Sequence, residues 1–532
     1  MTGNRDIFAV EALNHIPKIL TLQDRNPHSP NYGCFDRNFW HLRITDFPSG
    51  MSQEFVYPLA LAFHTDTSDN PFYQKHVLID WVEAGIAFAA ASSHKDGSCD
   101  DYYPYERAMG AAAFSLLACV ESYRLLELSN QGLLDFFRKR AHWLAHHQES
   151  GRLSNHQALV VICLEKVSSL LGEKPWEAET AARLETLLSW QNEEGWFQEY
   201  EGCDPGYLTL TISCLAELYA ADPRDEIRRI LEKSVDFASH FIHPDGSFGG
   251  EYTSRNTYNF FPYGFELVGR WYPKALAIND LFLKGLANGL GPCYADDHII
   301  GHHAWNYLLA WRDFVPSRPQ TPDRPLGRFW FKNARLLVDR RADTELYVAL
   351  NKGGVFKLFK DGKLAVSDTQ ASLQMNTPRG LKNAVAHLVD DYRCAVSDDD
   401  ITIEGDMGWA KHSQMTPVKM IVLRVIMSAG GRFFPNLARK LLQKLLITNK
   451  RKAPFAFKRT LSFEEGKWRV HDTITAERWD NVVSACIACD QTSIYVVMSR
   501  TFQQGQLTSP VDLGGKLETL SPEGDLTVER AY

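Results

Sequence analysis

Three polar segments in the first 260 residues hold the side chains best suited to acid–base chemistry. They are SNHQALVV (154–161), EEGWFQEYEGCDPGYLTL (193–210) and DGSFGGEYTSRNT (245–257). Each is a turn or loop before an apolar stretch that predicts a helix, and loops on a rigid scaffold often carry binding and catalytic groups. Asn155, His156 and Tyr207 supply an amide, an imidazole and a phenol, the groups that proton abstraction beside a carboxylate requires.

The scaffold that positions these segments is predicted to be helical. From about residue 51 to 312, apolar residues recur at three- and four-residue spacings, and Gly, Asp or Pro end many of the runs. Turns with Asp-Gly or Glu-Gly recur between the runs, which indicates a repeated helical hairpin. Residues 1–313 are therefore predicted to form an all-helical (α/α) toroid that carries the catalytic groups.

The pattern changes after a proline-rich segment. Residues 314–328, FVPSRPQTPDRPLGR, hold four prolines and predict an interdomain linker. Residues 329–532 alternate in short runs separated by turn residues, which is typical of antiparallel strands and predicts a β-sandwich domain. A basic helical insert, 433–452, interrupts these strands. Packing on the sheet is the common interpretation of such a helix, and contact with a membrane surface or a polyanion is the alternative. The predicted fold class is multidomain α+β, with the toroid followed by the sandwich.

Composition limits the partners and the compartment. The chain has 532 residues, 45% apolar and 23% charged, with a net charge of −8 and a pI near 6.1. These values argue against nucleic acid as the main partner, although a locally basic cleft remains compatible with an acidic polymer. No apolar run reaches the ~18 residues of a membrane span. The N-terminus lacks a basic region leading into an apolar core, so we expect a cytoplasmic protein, or a periplasmic or secreted one if a leader has been removed.

The polar segments resemble a known enzyme family. RLSNHQALVVICLEKV resembles the Asn-His helix start of the heparinase II/III-like and alginate-lyase-like polysaccharide lyases. QNEEGWFQEYEGCDPGYLTLTISCLAEL is similar to a segment of that family in which a turn and an acidic residue precede a helix-opening Tyr. The segment DGSFGGEYTSRNTYNFFPYGFELVG also resembles segments of these lyases. The resemblance covers about half of the helical domain through short motifs, and the β-domain through its general architecture.

The resemblance implies β-elimination on a uronic-acid-containing polysaccharide, with no cofactor. Asn155 would neutralise the carboxylate, and Arg255 would assist it. His156 and Tyr207 are the candidates for the base and the acid, and the stereochemistry of the substrate decides whether Tyr207 serves as both. Further candidates for substrate contact share an aromatic, amide or charged side chain in a predicted cleft loop: Asn256, Glu199, Glu251, Tyr105 and Arg107. The β-domain offers His412 and His471, but neither lies in a motif that matches the family.

Each candidate also has a structural interpretation. Asn155 is a favoured helix-capping residue, and His156 and Tyr207 can be explained by packing at a helix start. Glu199, Tyr200 and Glu201 can belong to a solvated loop. The remaining candidates can make structural salt bridges or anchor a packed loop. His298 and His302, four residues apart, can share a helix face as metal ligands do, but helix capping and interhelical hydrogen bonds explain them better.

Three other functions remain open. A uronyl C5-epimerase would remove the same proton and return one to the opposite face. A toroid glycoside hydrolase would need two carboxylates, and the candidates are Glu199, Glu201, Asp204 and Glu251. A non-catalytic glycan-binding protein of exopolysaccharide biosynthesis would keep the fold and would fit the missing leader.

Overall fold

The computed structural model describes residues 5–149, 151–199, 202–292, 299–319, 324–378, 380–410, 414–431, 433–434, 451–490 and 501–532. Some of the sequence candidates therefore lie outside the described residues: Tyr200, Glu201, His298, His412 and most of the basic insert 433–452.

Helices occupy the first part of the chain. In chain order they are α1 (Asp6–Leu22), α2 (Arg37–Trp40), α3 (Val56–His64), α4 (Val77–Ala91), α5 (Met109–Leu125), α6 (Gln131–His146), α7 (Ser154–Leu171), α8 (Glu177–Ser189), α9 (Pro205–Ala221), α10 (Asp225–Ala238), α11 (Tyr263–Gly269), α12 (Pro273–Ala287) and α13 (Ile300–Arg312). A 3-10 turn, Met51–Phe55, precedes α3.

The odd-numbered helices from α3 to α13 form a closed inner ring. Each packs on the next, and α13 returns to α3. Helices α4, α6, α8, α10 and α12 pack outside the ring, and α1 completes the outer layer by packing on α13. The amino-acid pattern explains the two layers. Inner helix α5 is buried on nearly all sides, whereas outer helix α10 buries a stripe of apolar residues and exposes its charges.

The strands follow the toroid, apart from a short hairpin between α8 and α9. They are β1 (Gln198–Glu199), β2 (Gly202–Cys203), β3 (Gly327–Phe331), β4 (Leu336–Arg340), β5 (Thr344–Ala349), β6 (Val355–Lys360), β7 (Lys363–Asp368), β8 (Ala371–Thr377), β9 (Gly380–Val385), β10 (Arg393–Val396), β11 (Asp400–Trp409), β12 (Lys452–Glu464), β13 (Lys467–Ala476), β14 (Val482–Ile487), β15 (Val511–Asp512) and β16 (Leu526–Ala531). Two further helices are α14 (Pro417–Ile426) and α15 (Gly514–Glu518).

Two antiparallel sheets form the sandwich. The smaller has the order β3-β4-β5-β6-β7, and the larger has the order β15-β14-β8-β9-β11-β12-β13-β16, with β10 on β11. The smaller sheet is buried on both faces, since Val338 and Tyr347 join the toroid core and Leu337 and Leu346 join the core between the sheets. Successive side chains of a strand point to opposite faces of the sheet, so one strand can contribute to both cores. The predicted (α/α) toroid followed by an antiparallel β-sandwich is confirmed.

Long basic side chains of the sandwich reach loop carbonyls of the toroid. Arg340 Nη2 donates to the His240 carbonyl at 2.9 Å. Lys352 Nζ, in the turn between β5 and β6, donates to the carbonyls of Glu251 at 2.8 Å and Thr253 at 3.0 Å. The sheet therefore supports the polar loop 245–257 directly.

Candidate active site

The N-terminal ends of the inner helices meet at one rim of the toroid. Because each inner helix is followed by an outer helix that returns the chain, the inner helices run in the same direction. Asn155 and His156 lie in the first turn of α7, Tyr207 lies in the first turn of α9, and Arg255 lies in the loop before α11. Helix N-termini carry partial positive charge, which favours an anion at this rim.

Glu199 is a fully buried carboxylate that organises the start of α7. Strand β1 pairs it with Leu153, and it accepts hydrogen bonds from Ser154 Oγ at 2.5 Å, Asn155 N at 3.0 Å and Asn155 Nδ2 at 2.9 Å. Glu199 thus accepts the hydrogen bond of a first-turn N–H group, which the side chain of a capping residue would otherwise accept. The Oδ1 atom of Asn155 is buried and has no hydrogen-bond partner among the described residues. Burial raises the pKa of Glu199, and the nearby Arg255 guanidinium lowers it.

His156 is an imidazole held by a carboxylate. Its Nδ1 lies 2.7 Å from Glu149 Oε2, so Nδ1 donates to the carboxylate and Nε2 keeps its lone pair. The ring packs on Gly110 in the first turn of α5, where a Cβ would lie only 2.7 Å from Cε1 of the imidazole. The pKa of His156 is lowered to about 4: burial is the main cause, Glu199 partly opposes it, and Arg255 adds to the lowering. The Glu149 carboxylate also favours the protonated form. At neutral pH the imidazole is neutral and can accept a proton.

Tyr207 is a partly exposed phenol at the start of α9. Asp204 caps this helix by accepting a hydrogen bond from Tyr207 N at 3.1 Å, and Pro205 occupies the first helical position, as is common. The Arg255 guanidinium lies over the ring, with 4.3 Å between Cζ and the ring centroid. Burial raises the pKa of Tyr207, whereas Arg255 lowers it. The phenol therefore keeps its proton at neutral pH and can act as an acid.

The Arg255 loop is tied to the same helix start. Asp204 accepts hydrogen bonds from Thr253 Oγ1 at 3.0 Å and from Arg255 N at 3.1 Å, so one carboxylate positions both Tyr207 and Arg255. Gly249 has a φ of +62°, and a Cβ there would lie 2.6 Å from the carbonyl oxygen of residue 257. Only glycine fits this close approach. The loop is thus fixed at both ends.

Asn256 is an amide in an unusual environment. It has a φ of +61°, is fully buried, and neither its Nδ2 nor its Oδ1 has a hydrogen-bond partner in the described part of the chain. An unsatisfied buried polar group costs about 1–3 kcal/mol. Strain and unmade hydrogen bonds of this kind collect at ligand-binding positions. The substrate-contact role of Asn256 stays a prediction, and this environment supports it.

Glu251 lies in the same loop but contacts the sandwich instead of the rim. Its Oε2 is 3.0 Å from Lys357 Nζ on β6, its Oε1 accepts from Gln506 Nε2 at 2.7 Å, and the Tyr258 hydroxyl also donates to it. The side chains of Glu251 and Lys357 are both fully buried. The structure therefore places Glu251 in an interdomain ion pair with Lys357.

Tyr105 and Arg107 lie in the segment that leads into α5. Both have positive φ angles, +60° and +51°, and Asp100 holds them by accepting from Tyr105 N at 2.7 Å and Arg107 N at 3.0 Å. His94 Nε2 lies 2.9 Å from the same carboxylate, and Arg107 Nη1 donates to Asp96 at 2.8 Å. This segment leads into α5, and Gly110 in the first turn of α5 contacts the His156 ring.

His302, the described member of the pair formed by His298 and His302, contacts side chains on neighbouring elements. Its ring stacks on Phe114 with 3.7 Å between centroids, and Nδ1 lies 2.5 Å from Oε2 of the fully buried Glu54. Trp305 Nε1 donates to the other oxygen of Glu54. No group of three or more His, Cys, Asp or Glu residues suited to a metal ion occurs in the ranges that the structure describes.

Several residues of this rim were not found from the sequence. Glu149 and Gly110 belong to no recognisable sequence motif. Each acts by contacting His156, which lies on a different element of the fold. Asp204 was considered only as a hydrolase carboxylate, although Asp before Pro at a helix start is a recognisable cap. Asn259 Oδ1 contacts His303 Nε2 at 3.1 Å, and burial lowers the pKa of His303 to about 3. Gly110 and Asn259 are far in sequence from their partners His156 and His303, and each pair meets only in the folded chain.

No protein-family model matches this chain, and no curated protein matches it by sequence. Solved structures are similar in fold. A chondroitin AC lyase from Streptomyces coelicolor A3, in complex with chondroitin sulphate, has a TM-score of 0.54 at 11% identity, over 92% of this chain and 68% of that chain. A Paenibacillus xanthan lyase has a TM-score of 0.51 at 12% identity, over 91% of this chain and 47% of that chain.

The chain thus spans about half the length of the xanthan lyase. Heparinase III aligns with a TM-score of 0.48 at 10% identity, over 83% of this chain and 64% of that chain. At these identities the first two likenesses establish the fold, a toroid and β-sandwich of the kind found in polysaccharide lyases, without identifying the member of that fold family.

Proposed function

We propose that this protein is a heparinase II/III-like polysaccharide lyase that cleaves a uronic-acid-containing polysaccharide by β-elimination. The observation that carries the proposal is the position of the Arg255 guanidinium, which lies over the Tyr207 ring and also affects the pKa of the His156 imidazole. Environments that shift the pKa values of two titratable groups in opposite directions are typical of a catalytic acid and base. The pKa of His156 is lowered to about 4 and that of Tyr207 is raised.

The hydrogen-bond donors of the rim would bind the substrate carboxylate. The Arg255 guanidinium is fixed over Tyr207 and can make a charge-assisted hydrogen bond to a carboxylate. The amide nitrogen of Asn155 has two N–H bonds, and one of them donates to Glu199. The other, with the buried Asn256 amide, would stabilise the negative charge that develops on the uronate when its C5 proton leaves.

The proton transfers follow from the protonation states. Nε2 of His156 takes the C5 proton, and the electron pair of that C–H bond forms the C4–C5 double bond. The bond from C4 to the glycosidic oxygen breaks, and the Tyr207 hydroxyl donates its proton to that oxygen. Glu149 orients the imidazole and stabilises its protonated form, as in other carboxylate–histidine pairs. Solvent then returns a proton to Tyr207 and removes one from His156.

The surroundings of the described candidate carboxylates disfavour the hydrolase alternative. Hydrolysis needs two carboxyl groups that flank the scissile bond. Glu199, Asp204 and Glu251 are each at most 1% exposed and already accept several hydrogen bonds. Glu201 lies outside the described residues. A hydrolase would need at least one of the three described carboxylates to leave its present partners.

The test is to incubate the purified protein with alginate, heparosan, hyaluronan, chondroitin and bacterial exopolysaccharides. Elimination produces a 4,5-unsaturated uronate, whose ultraviolet absorbance rises with time. The Asn155→Ala variant should lower kcat about 10²–10³-fold, as the loss of one donor to a developing oxyanion does. Asn288→Ala, at an exposed position after α12, is the matched control and should leave the rate unchanged.

Other outcomes would replace the proposal. Exchange of the C5 hydrogen with deuterated water, without unsaturated product, would identify an epimerase. New reducing ends without ultraviolet absorbance would identify a hydrolase. Saturable binding of an acidic polysaccharide without any product, unchanged in Asn155→Ala, would identify a non-catalytic glycan-binding protein.

A further inference from the structure

Helix α14 exposes an apolar face that a globular protein normally buries. Val418, Ile421, Val422, Val425 and Ile426 share one face of the helix at spacings of three, four, seven and eight residues, and each is 50–69% exposed. Such a stripe usually packs against the core. None of the residues of α14 is buried. We call these five residues, together with Phe433 and Phe434, the apolar patch.

The patch continues beyond the helix. Phe433 and Phe434 are each 66% exposed. The opposite side of α14 is attached to the toroid, because Arg424 Nη2 lies 3.0 Å from Asp46 Oδ1 and its Cζ lies 5.3 Å from the Phe47 ring. Ile44, in the same toroid loop as Asp46, is 71% exposed. Exposed apolar side chains grouped along one helix face mark an interaction site.

The charge of the surrounding sequence shows which partner the patch fits. Residues 411–452 contain ten Lys and Arg and no Asp or Glu, in a chain whose net charge is −8. Among the described residues of this stretch, Arg424 pairs with Asp46 and Lys452 pairs with Asp406. Residues 435–450 lie outside the described ranges, so only their composition enters here. A strongly basic, acid-free stretch of sequence that also contains exposed aliphatic and aromatic side chains is typical of binding to an anionic membrane surface.

Other occupants fit less well. An acidic polysaccharide would match the basic charge, but aliphatic side chains offer nothing to its hydroxyl and carboxylate groups. A second copy of the chain would bury the patch but would bring like basic charges together. A membrane span is excluded for α14, since ten residues of helix cover ~15 Å of a hydrocarbon core ~30 Å thick. No helix in the described residues is long and apolar enough to cross a membrane.

We propose that the apolar patch docks the protein on an anionic lipid surface, with α14 lying in the plane of the interface. The toroid loop that holds Arg424 also leads to the rim, because Ser49 Oγ donates to Asp101 at 2.6 Å and Gly50 N donates to the Asp100 carbonyl at 2.7 Å. Asp100 holds the segment with Tyr105 and Arg107. The loop that holds α14 is therefore joined directly to the segment with Tyr105 and Arg107.

The test is co-sedimentation of the full chain with vesicles. One set contains phosphatidylcholine alone and the other contains phosphatidylcholine with phosphatidylglycerol. The protein should sediment with the anionic vesicles only, and added salt should weaken the binding. The double variant Ile421→Ser, Val425→Ser should lower the partition coefficient at least about tenfold, and Lys419→Glu should lower it less.

The matched control is Leu381→Ser with Leu507→Ser, which removes two exposed aliphatic side chains elsewhere on the sandwich (52% and 72% exposed). It should bind vesicles like the wild type. Because the substituted side chains of α14 are exposed, the thermal unfolding midpoint of the double variant should match that of the wild type. The proposal is overturned if anionic vesicles do not bind the protein or if the double variant binds them equally. It is also overturned if the double variant instead converts a dimer to a monomer or loses binding to an acidic polysaccharide.

Discussion

Glu199 and Glu251 are two fully buried carboxylates near the same loop, and their surroundings differ. Glu199 accepts hydrogen bonds from the neutral groups of Ser154 and Asn155, whereas Glu251 is neutralised by the buried Lys357. Around Glu199, buried amide atoms of Asn155 and Asn256 lack partners among the described residues, and His156, Tyr207 and Arg255 are partly exposed.

Burial of a charge therefore does not by itself identify a functional site. What distinguishes the Glu199 region is unsatisfied polar atoms beside titratable groups that solvent can reach. The Glu251 region joins the toroid to the sandwich, and buried ion pairs of this kind are structural elements whose disruption is expensive. Substitutions near Glu199 should therefore change the rate, and substitutions near Glu251 should change the stability.

The largest effect on rate is expected for Tyr207→Phe. The variant removes the proposed acid and keeps the ring under Arg255, so kcat should fall about 10²–10⁴-fold. The thermal unfolding midpoint should not change. Steady-state assays and calorimetry measure the two quantities. Tyr219→Phe, on the same helix and also partly exposed, is the control. A Tyr207→Phe variant with more than half the wild-type rate would remove the phenol from the mechanism.

The largest effect on stability is expected for Lys357→Met. The variant leaves Glu251 buried without its cation, which costs about 3–5 kcal/mol in the free energy of unfolding. Denaturant titration measures this loss. The control is Lys360→Met, at the exposed end of the same strand, and it should have no effect. The double variant Lys357→Met, Glu251→Gln should recover much of the lost stability. An equally stable Lys357→Met protein would contradict the structural role of this pair.

Gly110→Ala tests how the position of the His156 ring, within the Glu199 region, affects the rate and the stability. The new Cβ would lie 2.7 Å from the His156 ring and displace it, so kcat should fall about tenfold, since small misplacements of catalytic groups are costly. Alanine is the better helix former by up to about 1 kcal/mol, whereas displacing a packed ring costs about 1–3 kcal/mol, so the free energy of unfolding should fall by at most about 2–3 kcal/mol. Gly132→Ala, in the first turn of α6, is the matched control for the helix effect. A normal rate in Gly110→Ala would show that the imidazole position is unimportant.

The smallest expected effect is on the pH profile. Because burial lowers the pKa of His156 to about 4 from 6.5, kcat/KM should stay constant on acidification until well below pH 6.5 and then fall as the base is protonated. Between those two values the unfolded chain binds a proton at His156 and the folded chain does not. The free energy of unfolding should therefore decrease as the pH falls through this window. Glu149→Gln should move the acid limb of kcat/KM to lower pH. An acid limb near pH 6.5 in the wild type would contradict this assignment.

The sequence predicted the local features well. Asn155 and His156 lie in the first turn of a helix, and Tyr207 opens the next inner helix, as their turn residues and apolar spacing indicate. The sequence could not predict that Glu199 would satisfy the start of α7, because these two groups are 44 residues apart. It also gave equal weight to Glu199 and Glu251, since both lie in polar loops with similar neighbours. The structure separates them by their partners.

Helix α14 illustrates the same limit. Its apolar spacing is the one that buries α10 against the inner ring, yet its apolar face is exposed. The fold class and the helix starts at the rim were determined by the sequence alone, because periodicity and capping depend on residues a few positions apart. The partner of each buried carboxylate and the exposure of each apolar face were decided by the tertiary structure. Hydrogen bonds such as that from Arg255 N to Asp204, 51 residues away, exist only after distant loops have been brought together by packing of the toroid and the sandwich.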